Sequence, residues 1–393
     1  MRRILAIAAS LLLTGALAKN VTVDEDFKKP EAEKPKAGVP GKGARDIKDA
    51  LSRAGNAKAA NVVGIAAGGS HTIAVRRDGT AIAWGNNDAA QLGDGSRQAR
   101  MQPVLVAGGA TYQQVAAGGS FTIAVKRDGT VWVWGQQGVD MMGASGKTDA
   151  RRLAVGTSAT LVAAGGQHAL ILGADGSLWA WGGNAFGQLG TGGTEGRSEP
   201  VMVGRGYTAI AAGGSHSLAI MADGTLYAWG GNDFGQLGSG NREGAMQPAA
   251  VGKDFVAISA GRNHSLAVKK DGSVWAWGDD RSGQLGDGKT SALAKPVRVA
   301  LPEKVVAVSA GGAHSLALGE SHKAYGWGAN TDGQVGNGAM QDVGTPVAVE
   351  GDYDAVGAGM SHSVALRRDG TVAAWGAAEG GAGVPATVPR VVN

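Results

Sequence analysis

AAGGSHSLAIMADGTLYAWGGNDFGQLGSG, from Ala211 to Gly240, is the stretch from which the 393-residue chain can be read, because its parts recur in the same order along most of the length. A Trp-Gly pair falls at Trp84, Trp134, Trp181, Trp229, Trp277, Trp327 and Trp375, at intervals of 50, 47, 48, 48, 50 and 48 residues. A ring residue (His71, Phe121, His168, His216, His264, His314 or His362) stands 13 residues before each tryptophan, whereas the gap from a tryptophan to the next ring residue varies from 34 to 37. The His-to-Trp segment is therefore the rigid part of a sevenfold repeat. With a period of two, Leu218 and Ile220 share one strand face, Asp223-Gly224 is a turn, and Tyr227 and Trp229 share a face of the returning strand.

Two further strands fit each unit. A run of Ala, Gly and Ser precedes the ring residue, and a run starting at Pro103, Pro200, Pro248, Pro296, Pro346 or Pro389 follows the Trp-Gly pair. Proline removes a ladder donor and belongs on an outer edge. The small residues suit inner strands that crowd a common axis. Strands reading Val-Trp-Val-Trp, without polar alternation, are expected where neighbours cover both sheet faces. The expected fold is all-β: a seven-bladed β-propeller of four-stranded antiparallel blades.

The order Ala-Gly-Gly-x-His, Asp-Gly, Trp-Gly, Gly-Gln-Leu-Gly resembles the regulator of chromosome condensation repeat family over Asn61 to Asn393. That resemblance implies the same propeller. It also brings in the family's best-known activity, nucleotide exchange on a small nuclear GTPase, although a fold does not carry its function with it. The narrow 34–37 spacing leaves no room for the inserted hairpin with which the exchange factor engages its partner.

Residues 1–18, MRRILAIAASLLLTGALA, pair Arg2 and Arg3 with an apolar run and end in Ala16-Leu17-Ala18, the pattern of a secretory signal peptide. The product is expected in the periplasm or outside the cell. Residues 19–60 read as a disordered tether rich in Lys, Glu, Pro and Gly, in which Ile47, Ala50, Leu51 and Ala54 allow one short helix. The chain has no cysteine and no run long enough to span a membrane, so packing alone must stabilise it. Its 37 Lys and Arg face 33 Asp and Glu; without Arg2 and Arg3 the balance is 35 minus 33, or +2, too small for general nucleic-acid binding.

Six histidines at one position in different blades form a wide ring, not a zinc site, and each is expected to satisfy backbone groups of its Gly-Gly turn. Neither a phosphate-binding glycine loop nor a catalytic set recurs, so no cofactor, metal or catalytic residue is expected. Unit two departs most, with Phe121 for histidine and GVDMMGASG for the Gly-Gln-Leu-Gly loop; unit six lacks Asp-Gly, and unit seven loses the long loop.

Strand direction places the loops after Trp-Gly on one face and the Asp-Gly hairpins on the other. The first carries Asn184, Phe186, Asn232, Asp233, Phe234, Asp279, Asp280 and Arg281, the candidate partner-binding residues; the second carries a basic arc of Arg76, Arg77, Lys126, Arg127, Arg367 and Arg368. The leading expectation is a secreted, monomeric, non-enzymatic scaffold that binds a protein with its loops. The alternatives are a GTPase regulator, by family analogy, and an inhibitor of a secreted enzyme, by resemblance to the propeller-type β-lactamase inhibitor.

Overall fold

The computed structural model describes residues 60–136, 150–377 and 386–392; the signal segment, the tether with its helix, the GVDMMGASG loop and much of the unit-seven loop lie outside them. Seven four-stranded antiparallel sheets are present, and in each the spatial order of the strands is their order in the chain. Blade four is representative, with Tyr207–Ala212 innermost, then His216–Met221, Leu226–Gly230 and, outermost, Ala245–Gly252. The inner strands surround a narrow channel lined by small residues such as Ala67, Ala117, Ala164 and Ala212, as the crowding argument requires. Tryptophans close the cores between blades: Trp229 is buried among Leu170, Leu172 and Leu189 of blade three and Ile210 of its own blade.

The central hairpin is one residue longer than an Asp-Gly two-residue turn. Gly224 N–H donates to Met221 O at 2.9 Å and Met221 N–H to Thr225 O at 2.9 Å, which defines a three-residue turn with a left-handed third position. Gly224 takes that position at φ 82°. Asp223 fixes the turn by accepting from the Thr225 amide and hydroxyl. Blade six, which lacks both residues, rebuilds the turn from elsewhere. His322 adopts φ 66°, and Glu303, from the preceding connection, accepts from the Ser321 amide and hydroxyl.

The outer strands begin three residues before the prolines. In blade four, Gly230 pairs with Ala245 and Ala228 with Ala249, so three residues ending in Pro248 oppose Trp229 alone. The same bulge ends in Pro296 in blade five and Pro346 in blade six. Each proline stands where the ladder is interrupted and its missing N–H costs nothing.

The ring closes without exchanging a strand between the ends. Val62–Ala67 is innermost in blade one and Ala386–Val391 outermost in blade seven. Closure comes from seven backbone bonds around the channel mouth, from Gly69 N–H to Gly118 O at 3.0 Å through to Met360 N–H to Gly68 O at 3.1 Å. Outside them, Val62 N–H donates to Gly370 O across the seam at 3.0 Å.

Candidate functional site

The histidines occupy the blade junctions. Nε2 of His71, His168, His216, His264 and His314 lies 2.8–3.0 Å from the hydroxyl of Thr122, Ser217, Ser265, Ser315 and Ser363 in the following blade, and His362 reaches Thr72 at 3.2 Å. The expected bonds to the Gly-Gly turn are not made by the rings of His71, His168, His216, His264 and His314, whose Nδ1 atoms have no hydrogen-bond partner. Gly213 N–H instead donates to the main-chain oxygen of His216, and a Cβ on Gly165 would stand 2.6 Å from Cε1 of His168. Glycine is needed there to admit the ring.

Five of these hydroxyls donate to the carbonyl of the Gln in the preceding Gly/Ala-Gln-Leu/Val-Gly loop, as Ser265 does to Gln236 O at 2.8 Å. A hydroxyl that has given its proton away must accept from the ring, so these histidines carry a proton on Nε2; Nδ1 is buried with no partner to take a second proton's hydrogen bond, which favours the neutral ring. Burial holds His71, His216 and His314 down to about 3 and His168 and His264 to about 4, which agrees. Their Nε2 atoms are committed to the frame. Among the described residues no three metal-ligating side chains gather into a site.

The loop motif is a clamp between blades. Gln236 accepts the Phe234 amide at its Oε1, and its carbonyl also takes Trp277 Nε1–H at 2.8 Å; Leu237 enters the core. The asparagine opening the loops of blades one, three, four and six is likewise internal. Asn184 and Asn232 accept from the Leu189 and Leu237 amides and donate Nδ2–H to the carbonyls of Glu195 and Glu243 at 3.0 and 2.8 Å. Asn184, Asn232, Asp279 and Asp280 are all buried, which corrects their expected place on the contact surface: each is needed to hold its own loop.

What remains exposed is smaller and more apolar. Phe186 and Phe234 occupy equivalent positions but differ in cover. Arg281 lies over the Phe234 ring at 4.8 Å and is itself held by both oxygens of Asp279, leaving Phe234 half-buried. Phe186 meets Gly231 of the next blade and stays 54% exposed. Beside it is Met246, 49% exposed, whose backbone approaches Gly187 closely. Met101, Met340 and Met360 add exposed apolar surface on this face or on strand ends that rise to it. The residue type at Met246 gave no signal, because outer-strand bulge positions vary freely between units.

The basic arc is largely engaged. Lys126 sits 3.5 Å above the Trp132 ring, and Arg127 donates to Arg77 O at 3.3 Å. Arg76 and Arg367 are half-buried, while Arg77 and Arg368 project beside the turn carboxylates of Asp78 and Asp369. Local hydrogen bonds from Thr80 and Thr371 hold those two carboxyls below the usual range, so their charge offsets the arc.

The structure resembles Prp20p of Saccharomyces cerevisiae, solved in a study of its binding to Gsp1p and histones, at 26% identity and TM-score 0.71, covering 77% of this chain and 82% of that one. Human WBSCR16 is similar at 25% identity and TM-score 0.70, covering 77% and 85%. Yeast RCC1 (Prp20) in complex with Kap60 shares the fold at 21% identity and TM-score 0.71, covering 95% and 91%. No curated protein matches the chain by sequence. Models of the regulator of chromosome condensation (RCC1) repeat match residues 78–125, 62–91 and 112–139, and that of the RCC1-like domain matches 158–390. With more than half its length inside that last match, and with the repeat's histidines, turns and glutamine loops each tied to a blade junction, the chain belongs to the RCC1-like propeller family.

Proposed function

We propose that this chain is a non-enzymatic protein-binding propeller, exported by its signal segment, whose contact surface is the loop face centred on Phe186 and Met246. The observation behind this reading is the exposure of Phe186 where the equivalent Phe234 is covered. A large aromatic left open beside a flexible methionine, on loops whose polar residues are internally satisfied, is suited to seat in a partner's pocket. The similarity to Prp20p, a structure described with its binding to Gsp1p and histones, supports a protein as the partner class. It also keeps a second reading in view, a GTPase regulator.

The test is capture of partners by the chain lacking residues 1–18, compared with Phe186→Ser combined with Met246→Ser and with Arg77→Ser combined with Arg368→Ser. The reading expects binding to be lost only in the Phe186/Met246 pair, with little dependence on salt. Loss only in the arginine pair, with steep salt dependence, contradicts it. Capture of a GTPase whose nucleotide release is accelerated supports the second reading.

A further inference from the structure

The loop after Trp277 differs from its siblings at one buried atom. In blades one, three, four and six, an asparagine (Asn87, Asn184, Asn232 or Asn330) accepts the amide five residues on through Oδ1 and points Nδ2–H at a carbonyl nine residues on, as Asn87 does to Ser96 O at 3.1 Å. Blade five has Asp280. Its Oδ1 accepts the Leu285 amide at 2.9 Å as usual, but Oδ2, buried in a residue with 0% exposure, has no hydrogen-bond partner. It stands in the register of the sibling Nδ2, which addresses oxygens.

The surroundings add negative charge. In blade one the side chain seven residues on is Asp94, 3.1 Å from Asn87 Nδ2, and Arg100 neutralises it at 2.9 Å. Blade five retains the acid as Asp287 but has Leu293 at the arginine's position. The ionisable groups around Asp280 are thus Asp287 and Asp279; beyond Asp279 stand Arg281, which pairs with it, and His264 on the neighbouring strand. The Leu285 and Ser291 amides favour a charged Asp280, but burial and the two carboxylates oppose it more strongly. An ionised Oδ2 would be buried with no donor at hydrogen-bond distance.

We propose that Asp280 carries a proton in the closed blade-five loop, donating it from Oδ2 where the siblings use Nδ2–H, and that release of this proton to water loosens the loop: a pH-operated latch beside Arg281 on the loop face. Burial raises this carboxyl to about 6, against an ordinary value of 3.8. Its stabilising effect is therefore complete below about 3.8 and is lost as pH rises through about 6. Loosening would free Arg281 from its ordered place between Asp279 and Phe234. That consequence for binding rests on the loop-face reading, whereas the latch itself does not, and it can be measured with no partner present.

The experiment is amide hydrogen exchange on the full chain at pH 5 and pH 8, corrected for intrinsic rates, with residues 232–243 of blade four as internal standard. Protection of residues 280–291 should fall by about tenfold relative to the standard from pH 5 to pH 8, which is what a carboxyl raised from 3.8 to about 6 supplies across that interval. Asp280→Asn, which restores the sibling arrangement, should abolish that fall, and Asp287→Asn should lessen it by removing charge and supplying a donor. Equal relative protection at both pH values, or an unchanged fall in Asp280→Asn, overturns the proposal. So does recovery of protection at pH 8 on adding millimolar calcium chloride, which would assign the carboxylates to a cation.

Discussion

The junction between blades four and five and that between blades two and three do the same work with different chemistry. At the first, His216 donates to Ser265, Ser265 to Gln236 O, and Trp277 to the same carbonyl. At the second, Phe121 replaces the histidine, Ala169 stands where the other blades have Ser or Thr, and Trp181 donates to Ser198 O in its own blade. Phe121 packs edge-on against Trp181 with ring centroids 6.0 Å apart. A polar bridge appears further along: Gln114 accepts the Val162 amide at 2.6 Å and donates to Val162 O at 2.9 Å, at a register where blade four has Ala209 and blade five Ala257. A buried polar clamp can be exchanged for an apolar contact only when both partners change, because half a clamp leaves an unpaired group in the core.

The largest test of this difference is acid. The five histidines with depressed values take up protons in the unfolded chain near pH 6.5 but not in the fold, so their stabilising effect is complete above 6.5 and is lost as pH falls toward 3–4. Each contributes about 1.4 kcal/mol between pH 7.5 and 5.5, together about 7 kcal/mol, readable by urea denaturation at the two pH values. Phe121 adds nothing to that sum. The double variant Phe121→His with Ala169→Ser should steepen the dependence by about one further histidine.

Next in size, Trp277→Ala should cost about 3–5 kcal/mol by opening a cavity between blades and removing one of the two donors to the Gln236 carbonyl. Ser265→Ala and Gln114→Ala should each cost about 1–3 kcal/mol, since each strands buried polar groups of the adjacent blade. Ala169→Ser alone should destabilise by about 1–2 kcal/mol, because its hydroxyl would face the Phe121 ring. Combined with Phe121→His it should cost less than the two single changes summed, and a double-mutant cycle measures the coupling. At the small end, Phe186→Ser should leave the melting temperature within about a degree, because an exposed side chain contributes little.

The fold was legible in the sequence because the 13-residue spacing from ring residue to tryptophan is covalent geometry. A hairpin of fixed register admits no insertion there, as the pairing of His216 with Gly230 shows. The junctions were less legible. His216 and Ser265 are 49 residues apart, and the adjacency of their blades emerges only from the closed ring. Burial of loop residues could not be read at all, because Asn232 and Asp233 are neighbours of similar polarity, one inside the loop and one outside. The same is true of Phe186 and Phe234, whose difference depends on Arg281 arriving from the next unit.

The histidines hold the blades together, whereas the proposed contact surface is the loop face around Phe186. The most direct measurement compares thermal melting and partner binding for His216→Ala and Phe186→Ser, with binding assayed well below either melting temperature. The account predicts that His216→Ala melts lower and still binds, while Phe186→Ser melts as the parent does and binds at least about tenfold more weakly, as a hot-spot aromatic should. A His216→Ala variant with unchanged melting and abolished binding would contradict it.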